Sequence, residues 1–156
     1  MEPHPSAPGH GDGRRRAQTF LWPLLLTLPL FFLLIALAAG PDSWVGALVE
    51  RGFAPLCHQI PERSLLWGQP LAVCTRCAGF YAGLALAGIL GFAAAAAGWR
   101  KTVPGGLVIA GLVPLAVDGT ANFAGLWSSP PAVRALIGLL AALPLALILV
   151  GRHEAE

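Results

Sequence analysis

Charge is what this chain of 156 residues has least of: Asp, Glu, Lys and Arg together make up 12% of it, about half the share of a soluble domain. A surface that water would wet cannot be built from so few, and the mean hydropathy of +0.68 agrees. The formal net charge is only +2, and no basic stripe stands apart from the apolar segments, so nucleic acid is not an expected partner. Cysteine is nearly as scarce. Three residues cannot all pair with one another, which excludes a disulfide framework as the main support of the fold. Internal repeats are missing too, since nothing in the second half echoes the cysteine-bearing segment.

What is present is apolar sequence in four blocks. Phe20–Ala39 and Cys77–Trp99 carry no charge, Val103–Leu126 is apolar except for Asp118 and Asn122, and Ala135–Val150 extends back past Arg134 to Pro131. A helix needs about 20 residues to cross a hydrocarbon layer of roughly 30 Å. The blocks therefore predict an all-α integral membrane four-helix bundle whose partner is the lipid bilayer. Its spans fall at about 20–40, 74–98, 103–126 and 131–150, within a membrane domain over 19–151.

The first block has a basic flank, Arg14-Arg15-Arg16, and small residues at Ala36-Leu37-Ala38, as a cleaved signal peptide would. Its apolar core is longer than the roughly 7–15 residues of a signal, which favours a retained helix. Residues 1–18 are expected to form a disordered cytoplasmic tail, with His4 and His10 solvated in it. Residues 41–73 form the one sizeable loop outside the bilayer. In it, Val45, Leu48, Val49 and Phe53 have the spacing of a short amphipathic helix lying on the membrane. Pro55, Pro61 and Pro70 break the remainder into turns.

Orientation follows from the placement of basic residues. With the N-terminus inside, Arg14, Arg15, Arg16, Arg100, Lys101 and Arg152 lie on the cytoplasmic side and Arg51, Arg63, Arg76 and Arg134 outside. The bias predicts a cell (inner) membrane protein with both termini cytoplasmic and the cysteine loop extracytoplasmic. Trp22, Trp44, Trp99 and Trp127 fall near span ends, as an interfacial belt requires. Along the second span Gly79, Gly83, Ala87 and Gly91 recur every fourth position, a ridge on which another helix can approach closely.

All three cysteines and one of the four histidines lie within Cys57–Cys77. Thiols and imidazole are not needed for packing apolar helices, so their clustering points to a metal or thiol-redox site. Cys74 and Cys77 stand two residues apart, where a helix starting near Ala72 would carry both on one face in its first turns, with Tyr81 one turn further. A helix N-terminus stabilises the thiolate that either chemistry needs. Cys57 and His58, brought back by a Pro-punctuated loop, complete a Cys3His set of the kind that holds zinc or another soft ion, and the three sulfurs are expected to cluster. Haem attachment is disfavoured because Ala78 follows Cys77.

The order Cys57-His58-x-x-Pro61-Glu62-Arg63-Ser64, then Cys74-x-Arg76-Cys77-x-Gly79-x-Tyr81-x-Gly83, resembles the domain-of-unknown-function family 2085, small multi-pass membrane proteins of bacteria and archaea. Pro114-Leu115-Ala116-Val117-Asp118-Gly119 resembles its second block, and Arg134 the arginine that begins its last helix. Asn122 stands nearest to the family's glutamine. The resemblance covers roughly 50–145 and implies an architecture and important positions, with no established activity.

An acid at membrane depth needs a partner or a cavity, so Asp118 is expected to face the bundle near Arg76 or Arg134. Glu62 and Arg63 suit an ion pair that stabilises a turn. Three readings of the whole stand side by side: a metal-binding membrane protein with Cys57, His58, Cys74 and Cys77 as ligands; a thiol-disulfide oxidoreductase cycling Cys74 and Cys77; and a scaffold whose motif clips the outer loop to the bundle.

Overall fold

The computed structural model describes residues 11–40, 42–57, 65–66, 69–97 and 104–153. Their order is α1 (Gly11–Ala39), α2 (Trp44–Phe53), a minimal antiparallel ladder of β1 (Leu65–Leu66) and β2 (Gln69–Pro70), then α3 (Thr75–Ala96), α4 (Gly105–Phe123) and α5 (Pro131–His153). Among the described residues three helices are long and apolar enough to cross a membrane, at Leu21–Ala39, Thr75–Ala94 and Gly105–Phe123, and Pro131–Ala146 is a shorter apolar helix. Helix α1 begins at Gly11, inside the stretch that the sequence assigns to a disordered tail. Arginine, alanine and glutamine are good helix formers, so a helix already nucleated by the apolar block propagates back through them.

The helix ends are built by local chemistry. Gly40, at φ +84°, ends α1 by sending its N–H to the carbonyl of Ala36 at 3.1 Å. Three residues on, the Ser43 hydroxyl accepts from Gly46 N at 2.9 Å and donates to the Gly40 carbonyl at 2.7 Å, capping α2. Gly125, at φ +70°, closes α4: its N–H reaches Asn122 O and that of Leu126 reaches Ala121 O, the double bond of a Schellman turn. Prolines at 23, 29, 114 and 144 lie inside helices, which membrane helices tolerate better than soluble ones do.

Helices α3 and α5 run parallel and form the centre. A Cβ added at Gly83 would lie 2.6 Å from the Leu139 carbonyl oxygen and 2.8 Å from Ala142 Cβ; one at Gly79 would collide with the Ala135 backbone, and one at Gly138 with that of Arg76. Small residues on both helices permit this approach. The Gly79–Gly83–Ala87 ridge of α3 meets Gly138, Ala142 and Ala146 of α5, all of them buried, the small-xxx-small arrangement that packs helices in lipid. Helix α1 runs antiparallel to α3, with Pro23 and Leu26 beside Gly88. Helix α4 runs antiparallel to α5, with Gly111 against Leu140 and Ala141.

The large apolar side chains exposed along α1, α3 and α4 are leucine, isoleucine, valine and phenylalanine. Helix α4 carries the reverse of a soluble amphipathic pattern: its buried residues are Gly111, Asp118 and Asn122, while Ile109, Val113 and Val117 face outward. Only a surrounding hydrocarbon makes that economical. The outward Thr120 hydroxyl donates to the Ala116 carbonyl at 2.8 Å, which spares it an unpaired polar group.

Replacing Gly79 with leucine should lower stability in detergent by more than about 3 kcal/mol, because the obstruction is backbone and exceeds ordinary overpacking. Gly106→Leu, with nothing within 4 Å of its Cβ position, should leave the melting temperature nearly unchanged. Equal melting curves for the two variants would remove the α3–α5 contact from its central place.

Candidate metal centre

Cys57 arrives from α2. The Phe53 carbonyl accepts N–H bonds from Leu56 at 2.9 Å and Cys57 at 3.0 Å, a tight turn that points the cysteine back beneath the helix. It is buried, against Leu33 and Ala36 of α1, Val49 of α2 and Val73. Cys74 and Cys77 arrive at the start of α3. That helix begins at Thr75, later than the expected start near Ala72, so Cys74 stands just before it and its carbonyl accepts the Ala78 N–H at 3.0 Å. The later start has a consequence. The Cys74 N–H belongs to no helical bond and donates to Cys57 Sγ at 3.2 Å.

The three Sγ atoms all lie within 4.8 Å of one another, and all three cysteines are free thiols. Tetrahedral bonds of about 2.3 Å place sulfurs about 3.8 Å apart, a contraction that small χ1 adjustments supply. A hydrogen bond from the Cys77 side chain, opposed by burial, lowers the Cys74 thiol from its ordinary value. Tyr81 packs against the apolar cluster that holds Cys57, its ring edge-on to Phe53 with centroids 5.2 Å apart. His58, with Pro61, Glu62, Arg63 and Ser64 of the same motif, lies outside the described residues.

A second polar group ties the same end of the helices together. Arg76, between Cys74 and Cys77 in the sequence, forms an ion pair with Asp118 of α4. Asn122, one turn on, donates through Nδ2 to the Asp118 carbonyl at 2.8 Å, to Asp118 Oδ1 at 3.0 Å and to Ser129 Oγ at 3.2 Å. Arg134 of α5 is buried and donates from Nε to Ser129 Oγ at 3.1 Å and from Nη2 to Asn122 Oδ1 at 3.4 Å. Of the two arginines considered for Asp118, Arg76 makes the direct contact. Arg134 joins through Asn122 and Ser129. Ser129 escapes the sequence reading; its signal is the pair Ser128-Ser129 ahead of Pro130-Pro131 and Arg134, two hydroxyls where an otherwise apolar chain needs none.

Apolar helices that turn leucine outward and an ionic cluster inward define an all-helical integral membrane protein with a cysteine cluster at one end of its helices. The chain belongs to the family described as predicted membrane protein, domain of unknown function 2085 (DUF2085), whose pattern it matches over residues 57–148. It is also similar to an uncharacterized protein of Methanocaldococcus jannaschii, at 32% identity over 129 residues, covering 76% of this chain and 82% of that protein. No solved structure matches.

Asp118→Ala strands the Arg76 guanidinium and should cost about 3–5 kcal/mol, read as a lower melting temperature in detergent. Changing Arg76 and Asp118 together to leucine should recover most of that loss. An Asp118→Ala protein as stable as the parent would show that the ion pair bears no part of the packing.

Proposed function

We propose that this is a four-span protein of the cell membrane in which Cys57, Cys74 and Cys77, with His58 as fourth ligand, hold one zinc or similar soft ion at the extracytoplasmic face. The observation that carries the reading is the mutual proximity of three sulfurs drawn from two separate segments. Ligands from α2's end and α3's start make the ion a clasp: it fastens the loop between the first two spans onto the bundle. With four protein ligands the site is closed to substrate, the arrangement of structural zinc. Arg76, Asp118 and Arg134 lock the helix ends beside it.

The ion would stabilise the folded state as it binds, because ligands this far apart in sequence converge only when the chain is folded. Protein purified without chelator should contain one metal ion per chain by elemental analysis, with all three thiols slow to react with a maleimide until the ion is removed. Cys57→Ser should reduce the metal content by at least about tenfold. Metal-free protein that instead forms a reversible Cys74–Cys77 disulfide would favour thiol-disulfide exchange and overturn the metal reading.

The six basic residues on one side against four on the other support cytoplasmic termini. Reporter fusions after Trp99 and at the C-terminus should be active in the cytoplasm, and one at Gly68 outside it. A cytoplasmic Gly68 fusion would invert the arrangement and place the thiols in a reducing compartment.

A further inference from the structure

Helix α1 meets α3 closely at Gly88, whose Cβ position lies 3.3 Å from Leu26 Cβ and from Pro23 Cα. Toward the cysteine end a groove of about 400 Å³ opens between α1, α3 and α5, within the size range of ordinary ligand sites. Its floor is Thr75, Ala78, Gly79 and Ala82 of α3, which at i, i+3, i+4 and i+7 share one helical face. Its sides include Leu34 and Leu37 of α1 and Leu136 of α5. All three of these leucines are exposed, so the groove is open to the surrounding hydrocarbon.

Thr75 interrupts this apolar lining. It is the one polar side chain among the residues that border the groove, it is 1% exposed, and its hydroxyl has no hydrogen-bond partner among the described residues. A buried hydroxyl left unpaired is costly, and valine has the same shape without that cost. Packing alone does not account for a threonine here. Thr75 is also the first residue of its candidate span, so the hydroxyl stands where hydrocarbon gives way to headgroups. The ester carbonyls of bilayer lipids lie at that level. From Thr75 to Ala82 α3 rises about 10 Å, which spans the upper part of an acyl chain in a leaflet about 15 Å deep.

We propose that this groove holds one acyl chain of a bilayer lipid, with the Thr75 hydroxyl donating a hydrogen bond to the chain's ester carbonyl. No cationic side chain and no second donor side chain borders the groove, which disfavours a phosphate or carboxylate and suits a neutral acceptor on an apolar tail. Small residues on the floor let the chain lie close to the α3 backbone, as they let α5 approach on the neighbouring face. The lipid site is separate from the metal centre, since none of the three cysteines borders the groove.

The test uses the full chain in detergent micelles, with native mass spectrometry counting lipid adducts. The probes are palmitoyl lysophosphatidylcholine and its hexadecyl ether analogue, which lacks the carbonyl. The parent should carry one probe per chain and bind the ester about fivefold more tightly than the ether, the share of one hydrogen bond. Thr75→Val, which keeps the shape of the side chain, should bind both equally, and Thr75→Ser should restore the preference for the ester. Ala82→Leu, which fills the groove, should remove the adduct and leave the melting temperature close to that of the parent. Equal binding of ester and ether by the parent would overturn the proposal, as would an ester preference kept by Thr75→Val or an adduct kept by Ala82→Leu. Displacement of the ester probe by a lower concentration of a short-chain benzoquinone would assign the groove to a quinone and overturn the acyl assignment.

Discussion

The approach of α3 to α5 without intervening side chains is the contact on which the rest of the structure depends. Lipid tails are as apolar as leucine, so burying leucine gives no advantage in a bilayer, and helices associate by close packing of small residues. Gly79, Gly83 and Gly138 remove the Cβ atoms that would hold the backbones apart. Because the two helices are parallel, their starts come together at one end. Cys74, Arg76 and Cys77 thereby reach the same level as Arg134, and α1 and α4 pack on either side of the pair.

The ionic cluster follows from that level. Asp118 enters from α4 at the height where Arg76 and Arg134 already stand, and Asn122 and Ser129 bridge what remains. Removing one member is costly because it strands a charge in hydrocarbon, which is different from saying that the cluster adds much stability over an apolar replacement. Its value is in register. Three helix ends that share one hydrogen-bonded network cannot slide past one another by a turn, and the start of α3, which carries two cysteines, is held with them.

Much of this is legible in the residues. Asp118 in an apolar block declares a buried partner, since a lone carboxylate in lipid is untenable, and three thiols among leucines declare a site. The short helix at Trp44–Phe53 shows in the spacing of Val45, Val49 and Phe53. Other features carry no local signal. Gly138, Ala142 and Ala146 are lost among the alanines and leucines of α5, so its half of the helix contact is invisible until α3 lies against it. Ser129 in a turn looks ordinary until Arg134 folds onto it. The ladder of Leu65–Leu66 with Gln69–Pro70 is too short for any period to show. The start of α3 is misplaced by a few residues because Cys74, and not Ser, Thr, Asp or Asn, stands at the capping position, with Thr75 already the first helical residue.

In the proposed reading the cysteines are a clasp between two segments that already meet at Val49, Cys57 and Val73: α2, resting on α1, and the start of α3, resting on α5. Tyr81 and Phe53 close over that junction from the two sides. X-ray absorption at the metal edge tests the claim most directly, since it counts the ligating sulfurs regardless of fold or function. The account predicts three sulfur scatterers at about 2.3 Å and one nitrogen at about 2.0 Å. A first shell composed of oxygen and nitrogen alone would contradict it, because the bound ion would then sit away from the cysteines.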